Sequence, residues 1–200
     1  MIPKRLFAKM AEVHRAVGEI VGRWANLEHQ LTQIFAIALG LNTKHASQLL
    51  LHIKTFALKM DLVDTAVKIK LGERPKRRWT SLVEFIRELS GDRNYVAHTP
   101  VVFHSKGDPN NAAVWEKADV KVGPAPMVRL ADTGRVDPVE LEELLELIND
   151  VQHAVELAMK FQDELKQPAS NETLATEVAR RRPPRKQRRE SAPRTPKGPP

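Results

Sequence analysis

The chain has 200 residues and a formal net charge of +7, with 32 Lys and Arg residues against 25 Asp and Glu residues. Its length suits one domain with an appendage, and its basic balance favours a nucleic-acid partner. Because there is no cysteine, disulfide scaffolds and thiolate sites are excluded, and the histidines show no metal-ligand spacing. No apolar run approaches the roughly 20 residues of a membrane helix, and charges interrupt the N-terminal segment, so we expect a cytoplasmic protein without membrane contact.

Most of the net positive charge lies at the C-terminal end. Residues 167–200 carry a net charge of +6, whereas residues 1–166 carry only +1. The end segment holds seven of the fourteen prolines and few apolar residues, so it is predicted to be a disordered Pro/Arg-rich tail. We expect its basic block to bind RNA through phosphates, and we name as the tail block Arg180, Arg181, Arg182, Arg185, Lys186, Arg188 and Arg189.

The first part of the chain has the periodicity of packed helices. Apolar residues at 6–41 recur at alternating spacings of four and three, which predicts a long helix that Gly40 ends. Asn42 is a predicted helix cap, and the apolar pattern at 43–71 predicts one or two further helices.

A third helical region is predicted to end before Pro100, because a proline restricts the residue before it to extended backbone. The run Gly72-Glu73-Arg74-Pro75 is interpreted as a break, after which Thr80 or Ser81 starts the helix. Three short β-prone runs follow, which predict a small hairpin or a decorated loop at about 100–136: they are 101–104, 113–115 and 127–130.

The last helix has a strong start signal in Asp137-Pro138-Val139-Glu140 and continues to about Lys166. The predicted fold class is therefore all-α. We expect a four- to five-helix up-and-down bundle over residues 1–166, with the β-prone insertion before its last helix and the basic tail after it.

Two charged residues occupy positions that the apolar pattern assigns to the core. Arg93 interrupts the seam at 82–96, and Glu28 interrupts a second stripe at 21–35 on the first helix. Since a buried unpaired charge is costly, we predict that Glu28 and Arg93 form an ion pair across the helix interface.

Asn94 and His98 extend this candidate site. Their spacing of four places them on one helix face, and the carbonyl groups of the last turn favour a protonated His98. Arg93 lies about 140° from His98 around an ideal helix, so the two converge only through long side chains or a distorted helix end. Arginine and histidine together suit a phosphodiester. The alternative is a structural ion pair for Arg93 and a helix-capping role for His98.

The segment Arg93-Asn94-x-x-x-His98 at the end of a bundle helix resembles the signature of the HEPN superfamily. The stretch Trp24-x-x-Leu27-Glu28 is also similar to bacterial HEPN-like proteins. The resemblance covers roughly residues 5–165 in layout and does not include the tail. It implies a bundle that pairs through its motif helices as a homodimer.

The resemblance further implies a metal-independent endoribonuclease that needs no cofactor. Arg93 would hold the scissile phosphate, Asn94 would orient substrate or motif, His98 would be the acid/base, and Glu28 would position Arg93. The RNA 2′-hydroxyl would attack and leave a 2′,3′-cyclic phosphate. Such proteins act as toxins or defence effectors, with a possible protein antitoxin as partner. The alternative with the same fold is a non-catalytic interaction or nucleic-acid-binding module.

A basic cluster beside an aromatic residue is the other candidate RNA-binding feature. It comprises Arg74, Lys76, Arg77 and Arg78, followed by Trp79. Basic side chains can hold phosphates while an exposed aromatic ring stacks on a base. The alternative is a solvated loop with Trp79 buried at the start of the next helix.

Overall fold

The fold is built around one long helix. The computed structural model describes residues 3–71, 73–104, 112–123 and 138–166. The helices are α1 (Lys4–Leu39), α2 (Thr43–Leu51), α3 (Phe56–Lys70), α4 (Glu73–His98), α5 (Ala112–Glu116) and α6 (Leu141–Lys166), and the strands are β1 (Val101–His104) and β2 (Asp119–Val122). The predicted fold class is confirmed: this is an all-α bundle with a small two-stranded sheet. The predicted tail, residues 167–200, lies outside the described residues.

The helix ends near residue 40 follow local sequence signals. Gly40 ends α1 with a φ of 67°, a left-handed conformation that glycine adopts without a steric penalty. Asn42 then caps α2, because its Oδ1 accepts the backbone N–H of His45 at 2.8 Å. Thr55 caps α3, so 43–71 forms two separate helices.

The core lies where α1 packs against the other helices, and its most extensive packing is with α6. Trp24 of α1, Trp79 of α4 and Phe161 of α6 are among the largest fully buried side chains. The rings of Trp79 and Phe161 stack with their centroids 4.9 Å apart. Each such side chain contributes about 1.5–3 kcal/mol through burial, so these rings hold α4 against α6.

The predicted start of α4 is wrong. The helix begins at Glu73, not at Thr80 or Ser81, so residues 73–75 of the segment interpreted as a break lie in its first turn. Proline is tolerated there because the first N–H groups of a helix have no intrahelical acceptor, so Pro75 removes no bond. The predicted end is confirmed, since α4 stops at His98, two residues before Pro100.

The insertion contains one predicted strand and one that was missed. β1 pairs antiparallel with β2, with Val101 opposite Val122, and only the first of these strands was predicted. The expectation of a strand at 113–115 is wrong because this segment lies in α5. Arg5 of α1 donates to the carbonyl groups of Trp115 and Glu116, which satisfies the C-terminal end of this short helix. The β-prone run at 127–130 lies outside the described residues.

The last helix begins at Leu141, four residues later than the predicted cap, Asp137, which lies outside the described residues. A bridge between Val139 and Val122 explains the delay, since their backbone groups exchange bonds of 2.7 and 3.0 Å. Because Val139 is held in extended pairing, the helix starts after it. Among the described helices, none combines the length and hydropathy of a membrane-spanning segment.

Candidate functional site

Arg93 lies half-buried in the predicted seam of α4, where α4 meets α1. Its guanidinium carbon is 5.8 Å from the centre of the Trp24 ring. Its Nη1 donates to Oδ1 of Asn94 at 3.0 Å, whereas its Nε is buried and has no hydrogen-bond partner. A cation over an indole face is stabilised by about 0.5–2 kcal/mol, depending on its desolvation. The guanidinium is therefore held in place by Trp24 and Asn94.

The predicted ion pair between Glu28 and Arg93 is wrong, because Glu28 pairs with Lys59 of α3. Its Oε2 accepts from Lys59 Nζ at 3.0 Å, and its Oε1 accepts the Trp24 Nε1–H at 3.1 Å. The partly buried carboxylate thus obtains its counter-charge from α3 and not from α4. Trp24 still links the two predicted residues, since its ring supports Arg93 and its N–H binds Glu28.

Lys59 is the residue that the sequence analysis missed. Its signal lies in the apolar row of α3, where it stands three residues after Phe56 and four residues before Val63. A charged residue in such a row needs a partner, as Glu28 did on α1. Which of the two cations, Lys59 or Arg93, reaches Glu28 depends on helix packing.

The other two motif residues are accessible at the end of α4. Asn94 and His98 are both exposed, with the four-residue spacing that places them on one helix face. Five residues separate Arg93 from His98, which is about 7.5 Å along a helix axis. In the described part of the chain no hydrogen bond joins these two side chains. Both residues therefore lie in the last two turns of α4.

The chain that leaves α4 after His98 is fixed to α1 through the small sheet. Lys9 of α1 and Asp119 of β2 form an ion pair at 2.6 Å. The hydrogen bond to Asp119 raises the pKa of Lys9. Burial raises the pKa of Asp119, but hydrogen bonds from Lys9 and the Val120 N–H outweigh burial and lower this pKa below its ordinary value. The pair is therefore ionised across the neutral range and holds β2 on α1.

The basic cluster has divided roles. Arg78 pairs with Glu164 of α6 at 3.2 Å and its side chain is only 9% exposed, so it joins two helices and is not free to bind RNA. Arg77 is exposed and remains a candidate phosphate ligand. The other predicted RNA-binding residues lie outside the described side chains: Arg74, Lys76 and the tail block.

Trp79 is buried, as the alternative interpretation of the basic cluster predicted. Because the ring is fully buried, it cannot stack on a base. Its Nε1–H donates to Oδ1 of Asp64 at 2.8 Å, and Lys68 binds the other oxygen of this carboxylate at 2.7 Å. The buried Trp79 N–H of α4 and the buried Asp64 carboxylate of α3 are thus paired with each other. Trp79 serves packing and does not form part of a base-binding surface.

No protein-family model matches the chain, and no curated protein or solved structure matches it either. Within the described ranges, no three His, Asp or Glu side chains converge in a way that would hold a metal ion. The candidate site of this chain comprises Arg93, Asn94 and His98.

Proposed function

We propose that the protein is an HEPN-like, metal-independent endoribonuclease that cleaves RNA at the end of α4. The observation that carries this proposal is the half-buried Arg93, fixed by Trp24 and Asn94, five residues before an exposed His98. A guanidinium with unused N–H donors binds phosphoryl oxygens, and an accessible imidazole nitrogen can take up or supply a proton. These are the two functions that cleavage by the RNA's own hydroxyl requires.

The proposed reaction uses the substrate's 2′-hydroxyl as nucleophile. Its oxygen forms a bond to the adjacent phosphorus while the bond from phosphorus to the 5′-oxygen breaks. His98 takes up the proton of the 2′-hydroxyl and then donates it to the departing 5′-oxygen, and Arg93 stabilises the additional negative charge on the phosphoryl group. The products are a 2′,3′-cyclic phosphate and a 5′-hydroxyl, so DNA cannot be cleaved in this way.

The test is cleavage of single-stranded RNA in EDTA by the protein and by His98→Ala. We expect cleavage to fall at least about 100-fold in the variant, since a positioned acid/base contributes 10²–10⁴-fold. His14→Ala is the matched control, because His14 is an exposed histidine on α1 ten residues from Trp24, about 15 Å along the helix.

Two results would contradict the proposal. One is cleavage of equal rate in the His98 and His14 variants, and the other is cleavage of an RNA whose 2′-hydroxyl at the cut site is replaced by hydrogen. Mass spectrometry of the products checks the cyclic phosphate independently.

The biological part of the proposal is a toxin or defence effector that acts as a homodimer through the α4 helices and is restrained by a protein antitoxin. Expression of the protein in a bacterial host should then slow growth, and His98→Ala should relieve the effect. Equal growth inhibition by both proteins, at equal expression, would contradict this part. Analytical ultracentrifugation tests the dimer.

The second candidate is a non-catalytic interaction or nucleic-acid-binding module. The contact between Arg93 and Trp24 favours it, since packing on an indole is itself a sufficient reason to keep an arginine there. RNA binding without cleavage, together with a large stability loss in an Arg93 variant, would support this candidate over the nuclease.

A further inference from the structure

An open pocket lies beside Glu28, between α1, α2 and α3, with a volume of about 210 Å³. Sites for drug-sized ligands usually measure about 300–1,000 Å³, so this pocket suits a single ring system and not a whole nucleotide. Its lining includes the Glu28–Lys59 ion pair, the hydroxyl groups of Thr32 and Ser47, and the apolar side chains of Leu50 and Phe56.

The ion pair presents acceptors and a donor side by side. Each carboxylate oxygen of Glu28 accepts one bond, from Trp24 or from Lys59, and each has a second lone-pair site. The ammonium of Lys59 has two further N–H donors. The side chains of Glu28 and Lys59 are 33% and 27% exposed, so a ligand in the pocket can reach both.

The acceptors of Glu28 and the donors of Lys59 are complementary to one nucleobase, guanine. The pairing edge of guanine has two adjacent N–H donors, on N1 and N2, next to the O6 acceptor. A carboxylate accepts both donors while a lysine donates to O6, whereas adenine offers only one donor, followed by an acceptor, at the same edge. The half-buried ring of Phe56 provides an aromatic wall on which a base can stack.

We propose that this pocket binds the guanine base of single-stranded RNA. The proposal rests on the proposed ribonuclease function, for which it supplies a base-recognition subsite. Trp24 lies between the pocket and the motif: its ring is 4.8 Å from that of Phe56, a lining residue, centroid to centroid, and 5.8 Å from the Arg93 guanidinium carbon. A base in the pocket therefore belongs to a nucleotide close to the phosphate that Arg93 holds, so cleavage occurs next to guanosine.

The test measures binding of guanosine 5′-monophosphate and adenosine 5′-monophosphate to the full chain by calorimetry. Because the two probes share ribose and phosphate, their difference reports the base alone. We expect guanosine monophosphate to bind at least about tenfold more tightly, the discrimination of one good bidentate contact. Glu28→Gln and Lys59→Met should remove this preference and leave adenosine monophosphate binding unchanged, which a merely structural role would not do.

Two further variants keep the test decisive. Lys68→Met is the matched control, because it removes a different lysine–carboxylate pair, Lys68–Asp64 at 2.7 Å, which lies outside the pocket lining. Ser47→Phe fills the pocket from an exposed position on α2 without removing either charge, so it carries the test if the Glu28 or Lys59 variants do not fold.

These experiments test the guanine subsite and the ribonuclease function separately. A guanine preference that Ser47→Phe abolishes and Lys68→Met retains supports the subsite, whether or not RNA is cleaved. His98-dependent cleavage without any guanine preference overturns the subsite and leaves the proposed function standing. Equal binding of both nucleotides, or no binding of either, also overturns the subsite. A guanine preference without cleavage contradicts the proposed function alone.

Discussion

The guanidinium of Arg93 lies over the indole ring of Trp24, with its central carbon 5.8 Å from the ring centre. The contact places a charged residue of α4 on the largest buried side chain of α1. It explains how the apolar seam of α4 accepts an arginine that has no acidic partner among the described residues, because the ring face is a weak counter-charge. Arg93 therefore has a packing role in the fold beside its proposed role in binding phosphate.

Arg93→Met separates the two roles. The change loses the contact with Trp24 and the bond to Asn94, but it also removes a buried N–H that has no partner. We therefore expect the free energy of unfolding in urea to fall by less than about 1 kcal/mol, while RNA cleavage is lost. A loss above about 3 kcal/mol would instead assign Arg93 to the fold.

The buried carboxylate of Asp64 is expected to be important for stability. Asp64→Ala leaves the Trp79 N–H without its 2.8 Å acceptor and should lower the free energy of unfolding by about 2–3 kcal/mol. Asp64→Asn retains an acceptor oxygen and should cost less. A double-mutant cycle with Trp79→Phe checks the cause, since Asp64→Ala should then be milder. Equal losses in both backgrounds would contradict this explanation.

Arg77 and Arg78 should behave differently although they are neighbours in sequence. If Arg77 contacts one phosphate, Arg77→Gln should reduce the salt slope of single-stranded RNA binding by about 0.7. Arg78→Gln should leave that slope unchanged but destabilise the fold by about 1–2 kcal/mol, because Glu164 loses its partner. Fluorescence anisotropy at several salt concentrations measures the slopes. The reverse pattern would show that Arg78 faces the RNA.

The Lys9–Asp119 pair predicts a pH dependence of stability. Because the pKa of Asp119 is lowered by folding, its contribution is present above the ordinary carboxyl pKa of about 3.9 and is lost as the pH falls through the lowered value. Because the pKa of Lys9 is raised, its contribution is present below about pH 10.4 and is lost as the pH rises through the raised value.

Asp119→Asn tests this dependence. The side chains of Lys9 and Asp119 are about one-third exposed, at 34% and 37%. The substitution should therefore lower the free energy of unfolding at pH 7 by only about 0.2–1 kcal/mol. Below pH 4, the free energies of unfolding of the variant and of the unsubstituted protein should become more similar. Urea unfolding at pH 7 and below pH 4 measures both free energies. Asp163→Asn, which removes an exposed pair with Lys166, is the control and should have little effect at pH 7. A difference independent of pH would refute the argument.

Helix ends that depend on neighbouring residues could be predicted from the sequence. Gly40 and Asn42 act within about four residues, through backbone conformation and a cap bond, so the helix ends beside them were predicted. The start of α6 could not be predicted in the same way. Its cap signal was overridden when Val139 paired with Val122, a residue distant in sequence.

The candidate site also combines features that the sequence predicted with contacts that depend on tertiary packing. Periodicity alone placed Arg93 and Glu28 in apolar rows and Asn94 and His98 on one helix face, because a helix repeats every 3.6 residues. The packing of α1, α3 and α4 determined the partners of the two charged residues: Glu28 pairs with Lys59, and Arg93 packs on Trp24. A sequence pattern shows that a partly buried charge needs a partner, but only the tertiary structure decides which residue is close enough to be that partner.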